Sequence, residues 1–192
     1  MFMSLSRLID KLNETIAGLV SWLVLAAVII CAGNAIMRYS LNYSSNAWLE
    51  IQWYLFGAIF MLASAYTLRR DDHVRIDVVV GRFSKRTQVW IDLLGFLFFL
   101  LPVCLLILWF GIPYAMIAIE NGEVSSNAGG LIVWPARVLV PLGFALLVLQ
   151  GISEIIKRIA FLAGRSDGRD FAKQVSTPQD EIDAIKAANK ID

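Results

Sequence analysis

Apolar residues fall into four long runs, at about residues 15–37, 47–68, 90–119 and 134–156, joined by short polar connections. At ~1.5 Å rise per residue, each run is long enough as a helix to cross the ~30 Å hydrocarbon layer of a bilayer. The runs are apolar all round the helical wheel, without the polar face that a soluble bundle carries. In lipid, a helix satisfies its own backbone donors and acceptors one segment at a time, so each run predicts a transmembrane helix. The fold class expected is an all-α integral membrane protein with four transmembrane helices, flanked by short interfacial helices.

Residues 1–14 form an amphipathic lead-in with Leu5, Leu8, Ile9 and Leu12 on one face, suited to lying along a membrane surface. The membrane domain is expected over 15–163, and a polar cytoplasmic tail over 164–192. Pro102 and Pro113 lie within the third run. Each removes a backbone donor, so that span is expected to tilt or to break near Pro113.

Charge placement adds the topology. Fifteen of the 17 Lys and Arg residues lie before the first run, between the second and third, or beyond the fourth; the exceptions are Arg38 and Arg137. The positive-inside rule therefore puts both termini and the 69–89 loop in the cytoplasm. Trp48, Trp53 and Tyr54 on one side of the membrane and Trp90 on the other suit the headgroup level. The first run is too long for the core of a cleaved signal peptide and is read as retained.

Catalytic chemistry is sparse. His73 is the single histidine, which excludes a haem held by two histidines of one chain, and Cys31 and Cys104 read as apolar fillers within spans. Zinc-site spacings, phosphate-binding glycine loops and nucleophile elbows are all missing from the sequence. No enzymatic activity, cofactor, metal or nucleic-acid partner is expected. Ionisable residues inside spans need a reason to be there. Glu50 lies one turn into the second span, at the same depth as Arg38 and Arg137. An ion-pair cluster of these three is favoured over proton or cation binding by Glu50. Gly57 in the second span and Gly143, Gln150 and Gly151 in the fourth lie on stripes suited to close helix packing.

Several motifs, taken in order, carry a family resemblance: Arg38-Tyr39 at the exit of the first span, Ser44-Ser45-Asn46-Ala47-Trp48-Leu49-Glu50 before the second, and above all the segment from Ala65 to Asp77 after it. Glu123-Val124-Ser125, Gly129-Gly130-Leu131, Trp134-Pro135 and Gln150-Gly151 continue the match. Over about residues 5–160 the chain resembles the small membrane subunit (DctQ family) of tripartite ATP-independent periplasmic, or TRAP, transporters. The resemblance implies a scaffold in a bacterial or archaeal inner membrane. Its partners would be a large permease subunit, a periplasmic substrate-binding protein and membrane lipids, in sodium-driven uptake of an organic acid. On that basis His73, Arg75 and Asp77 are candidates for contact with the large subunit or headgroups. Glu123, Ser125 and Ser126 are candidates for contact with the binding protein. The competing reading is a self-contained, proton-coupled small transporter or exporter using Glu50.

Overall fold

The computed structural model describes residues 2–43, 45–70 and 82–165. His73, Arg75, Asp77 and the tail beyond 165 lie outside the described residues. The described residues form four helices: α1 (Phe2–Leu41), α2 (Asn46–Arg70), α3 (Lys85–Glu120) and α4 (Trp134–Leu162). All four are long and apolar enough to cross a membrane. They run up and down, so the chain has a terminus end, where α1 and α3 begin, and a hairpin end, where α1 and α3 finish.

α4 is the central helix. It packs against α1, α2 and α3; α1 also packs on α2, whereas α3 packs chiefly on α4. The result is a triangle of α1, α2 and α4 with α3 on the far side of α4. Small residues permit this. A Cβ on Gly143 would lie 2.8 Å from both Cβ and the carbonyl oxygen of Met61 on α2. At Gly57, by contrast, the nearest neighbour of an added Cβ would be Leu139 Cδ1 at 4.0 Å. Gly143→Ala is therefore expected to push α2 from α4 and cost about 1–3 kcal/mol. Gly57→Ala should be neutral or slightly stabilising, since Ala favours helix over Gly. Unfolding midpoints of the two variants in detergent check the contrast.

The expected lead-in is not a separate element. Residues 2–14 continue into the first span as one unbroken 40-residue helix. Its buried positions recur every seventh residue, at Ser6, Asn13, Val20 and Ala27, the repeat of a helix laid along a neighbour at a shallow left-handed crossing. Of the expected apolar face, only Ile9 is buried, while Leu5, Leu8 and Leu12 point outward. Polar side chains take the inner side because α4 offers them partners there.

α3 also differs from expectation. It starts five residues before the apolar run, capped by Ser84, whose Oγ accepts the Thr87 N–H. It does not break at Pro113 but runs through to Glu120. Its irregularity is a π-helical turn at Phe96–Leu100, where the Leu101 N–H reaches the Phe96 carbonyl. That wider turn makes room for the Pro102 ring against the preceding carbonyls.

Candidate functional site

Two polar clasps, one at each end of the helices, hold most of the buried polar groups among the described residues. At the hairpin end, the segment between α3 and α4 folds back on itself. Ser125 N–H bonds to the Leu131 carbonyl and Val133 N–H to the Glu123 carbonyl, both at 2.9 Å, around a Val124–Ile132 bridge. Gly129 at the tip has φ +69°, and an added Cβ on Gly130 would lie 2.6 Å from Ser125 Cβ. The turn thus needs both glycines, one for its conformation and one for close approach.

α2 grips this hairpin with three residues one turn apart. Asn46 Nδ2 donates to the Ala128 carbonyl and the Tyr54 hydroxyl to the Ile132 carbonyl, each at 3.0 Å. Between them Glu50, only 2% exposed, accepts from the Ser125 hydroxyl, from Asn127 Nδ2 at 2.8 Å and from the Leu131 N–H at 2.6 Å. These donors stabilise a buried carboxylate by hydrogen bonds, with no cation among them.

The expected cluster of Arg38, Glu50 and Arg137 is therefore not what forms. Arg137 pairs with Glu123 and lies 4.4 Å over the Tyr114 ring. Arg38 is exposed and makes no ion pair among the described residues. Depth alone suggested the pairing, but the hairpin comes between the partners and satisfies each separately. Two of the three candidates for binding-protein contact, Glu123 and Ser125, are thereby engaged within the chain, whereas Ser126 is exposed.

Of the second clasp, at the terminus end, the sequence shows only Gln150, on a packing stripe; its ionic partners are not apparent there. α4 turns Gln150, Ser153, Glu154, Lys157 and Arg158 inward, all at most 3% exposed. Gln150 donates to Asp10 Oδ1 and to Glu154, each at 3.0 Å, and accepts from Asn13 Nδ2 at 2.7 Å. Ser153 meets the Ser6 hydroxyl at 2.7 Å and donates to Asp10 at 2.9 Å. Lys157 bridges Asp10 at 2.7 Å and Glu154 at 2.8 Å. Arg158 pairs with Glu154 at 2.7 Å and with Asp92 of α3 at 3.3 Å, its guanidinium 4.4 Å over Phe96. Arg69 of α2 adds Glu14 at 3.1 Å and Asp10 at 3.8 Å. One network thus ties all four helices together.

Lys157 and Arg158 had counted as charges beyond the fourth span. In the structure α4 runs on to Leu162 and both face the interior. The missed signal was the polar stripe itself: 150, 153, 154, 157 and 158 follow helical spacing, and 6, 10 and 13 complement them on α1. Gln150 belongs to this network, and Gly151 lies against Leu100 and Leu101 of α3.

Chemically, both clasps are closed. Their carboxylates are occupied by donors from the same chain, and no group of three His, Cys, Asp or Glu side chains among the described residues is placed to hold a metal. The side chains around the helices are largely apolar and exposed, including Trp22, Phe60, Phe99 and Trp109 at 70–76%. Buried charge with exposed apolar surface is the polarity of a protein whose solvent is lipid.

Comparison with known proteins agrees with that architecture. Residues 27–161 match the family model of the DctQ component of tripartite ATP-independent periplasmic transporters. No curated protein and no solved structure matches the chain. The match takes in α2, α3 and nearly all of α4, including Glu50, the hairpin and the α4 stripe. A multi-pass membrane protein of this length and helix pattern, matched over most of its chain, belongs to the DctQ family, the small-permease component of TRAP transporters.

Proposed function

We propose that this chain is a non-catalytic scaffold that holds the large permease subunit of a TRAP transporter in the inner membrane. The transporter would take up an organic acid or related solute with sodium, delivered by a periplasmic binding protein. The observation that carries the reading is the closure of both clasps. Every strongly buried ionic group among the described residues is spent on joining helices to one another or to the hairpin, and the grooves between helices are largely apolar. The groove among α1, α2 and α4, for instance, is lined by Leu19, Leu23, Leu62 and Leu142. Such a chain offers rigid apolar faces to a membrane partner and no polar route for a solute.

The orientation proposed is termini inward. Among the described residues the terminus end carries exposed Arg7, Lys11, Arg70, Arg82, Lys85 and Arg86, against Arg38 and half-buried Arg137 at the hairpin end. The hairpin then faces the periplasm, where Ser126 and the tip beside it are open to a binding protein. For His73, Arg75 and Asp77, outside the described residues, the family resemblance supports a role in contact with the large subunit or headgroups.

Co-expression with the large subunit tests the role. The tagged chain should recover a multi-span partner from detergent, and liposomes should take up solute only when chain, partner and binding protein are all present. Solute uptake by the purified chain alone would refute the scaffold role.

A further inference from the structure

The clasp at the terminus end fixes which side of α1 faces away from the other helices, and that side is patterned. Leu5, Leu8, Leu12, Leu19, Trp22, Ile29 and Ile36 recur at spacings of three, four and seven, and each is 45–70% exposed. Thr15, Ala26 and Gly33 complete the repeat, with the Thr15 hydroxyl returned to the Lys11 carbonyl. Within the lipid span such a ridge carries little information, since every residue there is apolar. Toward the terminus end it carries more, because Leu5, Leu8 and Leu12 alternate with Arg7, Lys11 and the buried Ser6, Asp10 and Asn13.

Length argues that lipid does not cover the whole ridge. From Leu5 to Ile36 the helix rises about 46 Å, against a ~30 Å hydrocarbon core. Tilts of 0–40° shorten that to no less than about 35 Å. Arg38 and Tyr39 follow Ile36 and Met37 and set that end near an interface, so the overrun falls at Leu5–Leu12, among headgroups or beyond. A surface-lying helix would resolve the conflict only by bending near residue 15, and α1 is unbroken there and clasped to α4.

We infer that the Leu5–Leu8–Leu12 ridge is a docking seam for a long helix of the large permease subunit, one carrying acidic residues at that depth. The ridge's exposed flank is basic: neither Arg7 nor Lys11 forms an ion pair among the described residues. A second copy of this chain, held parallel by the membrane, would set those bases against themselves. The 3.5-residue repeat suits a left-handed pairing of two helices. The inference rests on the proposed scaffold role and names the face that performs it.

The test is co-purification of the large subunit with Leu8→Glu, beside Phe83→Glu, an exposed apolar residue at the same end. Leu8→Glu should lower recovery of the large subunit at least about tenfold, leave the unfolding midpoint of the isolated chain unchanged, and contrast with full recovery for Phe83→Glu. Full recovery with Leu8→Glu overturns the seam while leaving the scaffold role standing. If wild-type chain recovers no large subunit, both fall. Should Leu8→Glu fail to fold, a photo-crosslinking amino acid at position 8 of the intact complex decides. An adduct with the large subunit supports the seam, and adducts only with lipid or a second copy overturn it.

Discussion

Glu154→Ala is expected to be the most damaging single substitution in this chain, lowering stability by about 3–5 kcal/mol. The carboxylate accepts from Gln150, Lys157 and Arg158 at once, and it is 1% exposed. Its removal leaves two buried cations short of an anion, in a region where water cannot replace it. Asp10 and Asp92 remain, but each already serves one of those cations from another helix. The loss should therefore appear as separation of α1 and α3 from α4, with faster amide exchange at the start of both helices. A neutral acceptor retains hydrogen bonds but not charge, so Glu154→Gln should fall between wild type and Glu154→Ala. Thermal unfolding of the purified chain in detergent gives the ranking. A midpoint for Glu154→Ala within a degree or two of wild type would show that apolar packing alone holds the four helices.

Glu50→Ala should act in a different place and manner. Its three donors all belong to the hairpin, so the helices should remain assembled while the hairpin loosens. The Leu131 amide, which donates directly to the carboxylate, should lose most of its protection from exchange, and protease should cut within residues 121–133. Glu50→Gln should retain partial protection, since its amide oxygen still accepts one or two of the three bonds. If the hairpin is the landing surface for a binding protein, uptake by the assembled transporter should follow the same order: wild type, Glu50→Gln, Glu50→Ala. The competing role, proton exchange by Glu50 itself, requires both variants to be equally inactive with the hairpin still ordered. Exchange and uptake measured on the same three proteins separate the two accounts.

The positions of the spans and the family are legible in the sequence, because both rest on local properties. Segment hydropathy is a sum over neighbours in sequence, and the Glu50 approach, the Gly129-Gly130 turn and Gln150-Gly151 are contiguous motifs. The partners of Glu50 were not legible. Arg137 lies at the right depth and carries the right charge, yet Ser125, Asn127 and the Leu131 amide hold the carboxylate, and Glu123 holds Arg137. Choosing between them requires the path of the 121–133 hairpin, which depends on where α2 stands relative to α3 and α4. The clasp at the terminus end was hidden for a related reason. Lys157 and Arg158, read along the chain, resemble the basic boundary that follows any span, and only the neighbouring Asp10 and Asp92 turn them inward.

The amino-acid order alone thus determined four membrane-spanning helices, their approximate ends and the transporter family, since burial in lipid is decided segment by segment. The tertiary structure decided that α4 is central and that α1 is one unbroken helix from Phe2 to Leu41. It also decided that Asp10, Glu154, Lys157 and Arg158 lie inside at the terminus end while Leu5, Leu8 and Leu12 lie outside. Those outcomes depend on which helix faces which. A charged side chain in an apolar medium takes whichever partner the packing brings within about 3 Å, and the partners that join the helices, Asp10 for Lys157 and Asp92 for Arg158, lie far away in sequence.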